Sequence, residues 1–156
     1  RTLGLIAAGL MVIVVAPFAE ELFFRGFFYR ALRTRWPVAV AALIDGAIFG
    51  LIHFGGADGP DGLLILPPLA VLGVVFCLVY EKTKSLWAVI GMHAFNNTIA
   101  FSAQVEGDGW KVAVVLGPIM LIACAVLPGR LRDGPSPLPP APSRVGPEAQ
   151  LSLPLQ

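Results

Sequence analysis

The sequence predicts an all-α protein, a multi-pass transmembrane bundle of about five membrane segments, and three observations carry that expectation. The 156 residues are 56% hydrophobic and only 13% charged, with a mean hydropathy of +0.79; soluble domains carry nearer 25% charge. Uncharged or nearly uncharged runs recur at roughly 17 to 20 residues, close to what an α-helix needs to cross a ~30 Å hydrocarbon core. The loops between these runs alternate in charge. Strands are not indicated, because the runs lack the period-two alternation of a membrane barrel.

The first run, from about Leu3 to Phe18, continues as helix through "PFAEELFFRGFFYR" toward Arg35 and turns at Trp36-Pro37. Pro17 removes one backbone hydrogen bond there and predicts a kink. The second segment, "PVAVAALIDGAIFGLIHF", spans Pro37 to Phe54, and the third covers about Leu63 to Tyr80. The fourth runs from Ser85, a good N-cap, to Ala103, and the fifth from Trp110 to Leu127. From residue 128 onward the chain holds eight of its fourteen prolines. With no periodic apolar face, residues 128–156 read as a Pro-rich disordered tail, and residues 1–127 as the membrane domain.

Arg30, Arg33, Arg35, Lys82, Lys84, Arg130 and Arg132 fall on one side of this alternation, and Lys111 on the other. The positive-inside rule then puts the arginine turn, the "EKTK" loop and the tail in the cytoplasm. A net charge of +1 without a basic, aromatic-interleaved cluster argues against a nucleic-acid partner. Cys77 and Cys124 lie within apolar runs and read as buried small hydrophobes. The chain opens on Arg1 without a small-residue cleavage site, so the expectation is a cut through a longer protein rather than a signal peptide.

Function is carried by the polar residues inside the apolar runs: Glu20, Glu21, Arg25, Asp45, His53 and His93, together with Asn96 and Asn97. A charge at the centre of a membrane helix costs roughly 2.5 kcal/mol or more, so such residues mark function by default. Glu21 and Arg25 stand i,i+4 and can pair on one face, leaving Glu20 about 100° away facing elsewhere. Phe49 and His53 repeat that spacing, as do His93 and Asn97, so three segments each present one polar ridge. Counted from Trp36, Glu20 and His53 lie at equal depth, roughly 24 Å at the helical rise, whereas His93 is only about 13 Å beyond Lys84. All three meet if the arginine-rich end of the first helix projects about two turns past the others.

"EELFFR", "FGLIH" and "HAFNN" form, in order, EExxxR, FxxxH and HxxxN motifs. Over about residues 10 to 105, including "RGFFYRAL" and "YEKTKSLWAVIGMHAFNN", the chain resembles the CPBP intramembrane endopeptidases. That family includes the type II CAAX prenyl endopeptidase and the bacterial Abi or bacteriocin self-immunity proteins. The resemblance implies a multi-pass protein of a prokaryotic cell membrane, acting on a protein or peptide substrate in the lipid bilayer. Glu20 would be the general base, with His53 sharing the polarisation of the attacking water. His93 and Asn97 would donate to the oxyanion. Glu21 and Arg25 would be structural and Phe49 supporting. A carboxylate in a low-dielectric pocket suits the base role.

Other readings use the same residues. Glu20, His53 and His93 could hold a catalytic zinc ion with water in the open position. No HExxH is present, and asparagine is a poor zinc ligand but a good oxyanion donor, so the expectation is a reaction without a cofactor. Catalytically idle relatives acting as scaffold or immunity proteins would share all three motifs, and the polar set could also be inert glue between helices. A proton-coupled transporter would show inverted repeats, which the sequence lacks. Asp45 departs from the family pattern, which has a small or hydroxyl residue hereabouts. It shares a face with Phe49 and His53 and either orients His53 through water or is buried protonated. Asn96 reads as packing glue.

Overall fold

The computed structural model describes residues 2–53, 61–107 and 109–131. They form five helical rods, one for each apolar run: α1 (Thr2–Arg33), α2 (Val38–Ile52), α3 (Asp61–Thr83), α4 (Leu86–Gln104) and α5 (Gly109–Leu131). No strand occurs among the described residues. Three rods are long and apolar enough to cross a membrane unaided: α1, Leu63–Thr83 within α3, and Trp110–Leu127 within α5. At 15 residues α2 is about 22 Å long and falls short of that span. α4 has the length, but His93, Asn96 and Asn97 dilute its apolar run. The residues expected to form the tail lie largely outside the described residues. α5 itself continues to Leu131, past the change of composition at Leu127.

α1 is not a uniform α-helix. Leu10–Val15 and Leu22–Phe28 are π-helical stretches on either side of the short α-helical segment Ala16–Glu21. The proline ring of Pro17 would collide with the carbonyl four residues earlier. The wider i→i−5 turn just before it relieves that clash, and the backbone stays helical through Val15 and Ala16. Glu20 and Glu21 thus sit between two widened turns.

Packing is closest between α2 and α3. A Cβ on Gly46 would stand 2.6 Å from the Ala70 carbonyl oxygen, and one on Gly73 would stand 2.8 Å from the Gly46 Cα. Small residues let two backbones approach in lipid, where no hydrophobic drive between helices exists. Gly46→Ala is therefore expected to lower stability by about 1–3 kcal/mol through overpacking, read as a reduced melting temperature in detergent.

At the other end of α1, Glu81 of α3 accepts from the Tyr29 hydroxyl (3.0 Å) and from Arg33 Nε (3.4 Å), and pairs with Lys84 Nζ at 2.9 Å. This clasp sets the register between helices. Nine residues separate Tyr29 from Glu20, and nine separate Lys84 from His93. Counted from this clasp rather than from Trp36, Glu20 and His93 lie equally deep. α4 starts where expected: the Ser85 side chain accepts from the Ala88 N–H at 3.4 Å.

Candidate active site

α1, α2 and α4 each bring one reactive side chain to a common point. His53 Nε2 stands 4.0 Å from Glu20 Oε2, and His93 Nε2 stands 3.8 Å from the same oxygen. Both separations are too long for a direct hydrogen bond. Glu20 Oε2 is buried and has no hydrogen-bond partner in the protein. The Glu20 and His53 side chains keep 27% and 33% of their surface exposed, against 3% for His93, so the centre opens on the Glu20–His53 side.

Each imidazole is held by its other nitrogen. α2 ends at Ile52, and His53 is its C-cap residue with φ −86° and ψ 0°. The last carbonyls of a helix lack intrahelical partners. His53 Nδ1 lies 2.7 Å from the Phe49 carbonyl oxygen and satisfies one of them. A carbonyl only accepts, so that nitrogen carries the proton and Nε2 is turned toward Glu20. His93 Nδ1 lies 2.8 Å from Glu21 Oε1. That oxygen also accepts from Arg25 Nη1 at 2.9 Å. A carboxylate thus fixes the orientation of His93, as an outer carboxylate fixes a catalytic or metal-bound histidine.

Behind the histidines lies a fully buried ion cluster. Arg25 pairs with Glu21, donates to the Gly73 carbonyl at 2.8 Å and stands 3.4 Å from Asp45 Oδ1. Asp45 also accepts from the Cys77 thiol at 3.1 Å. The guanidinium carbon lies over the rings of Phe49, Phe76 and Phe24, at 4.9, 5.1 and 5.5 Å from their centroids. Phe49 and Phe76 in turn flank His93, with centroid separations of 5.7 and 5.1 Å. The Gly46–Gly73 approach is what brings Asp45 and the Gly73 carbonyl within reach of Arg25.

Of the residues singled out from sequence, Glu20, His53 and His93 are gathered at one point, with Glu21, Arg25 and Phe49 directly behind them. Asn97 is placed differently. Its Nδ2 donates to the Val12 carbonyl oxygen of α1 at 2.9 Å, and its Oδ1 accepts from Asn96 at 3.4 Å. Asp45 is fully buried and faces Arg25 and Cys77. Sequence spacing gave no sign of the Glu21–His93 bond, the Phe24 and Phe76 walls or the Arg25–Asp45 pair. One signal was available for the last: the Gly46–Gly50 repeat marks a close-packed face, and Asp45 adjoins it.

Metal ligation requires tighter convergence. Tetrahedral zinc with ligand bonds of 2.0–2.2 Å sets its donors about 3.4 Å apart, whereas the Glu20–histidine separations are 3.8 and 4.0 Å. Among the described residues no group of three His, Cys, Asp or Glu side chains closes to a metal-holding arrangement.

Fold and site together define an integral membrane protein whose apolar helices enclose a carboxylate–imidazole centre. The chain belongs to the type II CAAX prenyl endopeptidase Rce1-like family, which its residues 2–99 match. Two curated proteins of Bacillus subtilis (strain 168) are similar to it. One is named "Putative membrane peptidase YdiL", 35% identical over 103 residues, covering 64% of this chain and 39% of that protein. The other is "Uncharacterized protein YyaK", 35% identical over 100 residues, covering 62% of this chain and 33% of that protein. The chain therefore spans well under half the length of either relative. No solved structure matches it.

Proposed function

We propose that this protein is an intramembrane endopeptidase that hydrolyses a peptide bond in a prenylated or otherwise membrane-associated protein or peptide substrate. One observation carries the reading: two imidazoles, each held at Nδ1, turn Nε2 toward a single unpartnered oxygen of Glu20. An attacking water beside Glu20 gives its proton to that carboxylate while its second hydrogen bonds to His53 Nε2. Its oxygen adds to the substrate carbonyl, and the charge formed on the carbonyl oxygen is met by His93. To donate from Nδ1 to Glu21 and from Nε2 to the oxyanion, His93 carries a proton on each nitrogen in this step. On collapse the C–N bond breaks, and the proton held by Glu20 passes to the leaving amine. Water is consumed, and a carboxylate and an amine are produced.

No step in this sequence needs a metal. The family to which the chain belongs supports the substrate class. The test uses a quenched fluorescent peptide ending in a farnesylated Cys-aliphatic-aliphatic-X sequence, its unprenylated counterpart, and the protein purified in detergent. Cleavage of the prenylated peptide, unchanged by prolonged treatment with a strong chelator, is expected. Loss of cleavage on chelation, restored by zinc, would overturn the metal-free route. Failure to cleave either peptide would remove the proposed substrate class.

A further inference from the structure

We propose that Asn97 is a positioning residue that supplies the donor missing from the backbone at Pro17, and so sets Glu20 against His93. In the widened turn of α1 the backbone bonds skip to the fifth residue back, and the Ala16 N–H donates to the Met11 carbonyl. The next bond in that register would run from residue 17 to the Val12 carbonyl. Residue 17 is proline and has no N–H. The Val12 carbonyl accepts from Asn97 Nδ2 instead, 85 positions along the chain, at 2.9 Å.

The surroundings make this bond matter. Leu10, Met11 and Val15 of the same turn are exposed on the outside of the bundle. Within hydrocarbon a freed carbonyl finds no water to replace the lost partner, so a neighbouring helix must satisfy it. Asn97 lies one helical turn beyond His93, and Pro17 lies three residues before Glu20. A single side chain thus ties the turn that carries the base to the helix that carries the histidine, whose Nε2 stands 3.8 Å from Glu20. Asn97 gives one of its two Nδ2 hydrogens to the backbone of α1, a role additional to any donation toward the substrate.

The kinetic part of the test rests on the proposed peptidase activity; the stability part does not. Four proteins are compared in detergent: the parent, Pro17→Ala, Asn97→Ala and the double variant. Alanine at position 17 restores an N–H that can reach the Val12 carbonyl and so makes the Asn97–Val12 bond dispensable. In the parent, Asn97→Ala is expected to lower kcat on the farnesylated peptide about tenfold or more, as misplacing the base against its histidine would, with KM little changed. In the Pro17→Ala protein the same change is expected to lower kcat by a factor about fivefold or more smaller, a coupling well outside the scatter for independent sites. The loss of melting temperature should shrink in parallel. Equal factors in both backgrounds would overturn the proposal and assign Asn97 to the substrate. If no variant cleaves, the peptidase reading fails, and the melting temperatures alone decide: coupled losses uphold the Pro17–Asn97 bond, additive losses overturn it. If Pro17→Ala does not fold, a carbonyl isotope label at Val12 decides by infrared spectroscopy. Its band should move to higher frequency in Asn97→Ala, and an unmoved band overturns the proposal.

Discussion

Glu20→Gln is expected to lower kcat by about 10²- to 10⁴-fold, the range for losing a positioned general base, while the protein inserts and melts like the parent. Glutamine keeps the length and shape of the side chain and one carbonyl oxygen, but cannot take a proton from water at neutral pH. Stability should be nearly unmoved because Glu20 stands apart from the ion cluster: its Oε2 has no protein partner, and the side chain is 27% exposed. Glu21, one residue later, behaves differently. It is fully buried and bonded to both Arg25 and His93. Glu21→Gln should therefore lose melting temperature as well as rate, because an amide oxygen in the place of Oε1 accepts from both donors but no longer supplies the charge that offsets the buried Arg25. Peptide cleavage and thermal melting on both variants check the contrast. Full activity in purified Glu20→Gln would remove the mechanism, and equal stability losses in the two would remove the division of labour between adjacent carboxylates.

Much of this division could be read from sequence because α-helical spacing is short-range and regular. Glu21 and Arg25 at i,i+4 gave the ion pair, and the roughly 100° step between adjacent helical residues gave Glu20 its separate direction. Phe49 and His53, again i,i+4, gave a contact, although it runs through the Phe49 carbonyl and depends on the helix ending at Ile52. Contacts between helices were not legible. Which carboxylate His93 would touch depends on the depth and rotation of α4 against α1, whereas the Tyr29–Glu81–Arg33 clasp joins α1 to α3, and only the short turn after Thr83 carries that register on to α4. Asp45 shared a face with His53 on a helical wheel, yet the close Gly46–Gly73 packing turns it to Arg25. Pro17 was read as a kink, and the widened turn that absorbs it requires a partner on another helix to be recognised. Five apolar runs were counted correctly as helices. Run length alone did not show that α2, at 15 residues, ends early and presents His53 from its tip.

Arg25→Ala is expected to destabilise the protein by about 3–5 kcal/mol, the cost of removing one partner from a buried charge cluster. Arg25, Glu21 and Asp45 are all fully inaccessible, and the guanidinium is the only cation recorded against the two carboxylates by an Arg or Lys ion pair among the described residues. Without it Glu21 and Asp45 face one another across a space lined by Phe24, Phe49 and Phe76, with little to screen their repulsion. The loss should be carried by charge more than by volume, and a second substitution separates the two. Asp45→Asn alone removes a carboxylate whose Oδ2 already lacks a partner, and should cost little. Added to Arg25→Ala, it should recover a measurable part of the lost stability by removing the acid left without a cation, since Glu21 keeps its bond to His93. Thermal melting of the three variants in detergent checks this. A double variant no more stable than Arg25→Ala would show that Arg25 acts through its aromatic contacts and its bond to the Gly73 carbonyl rather than by balancing two acids.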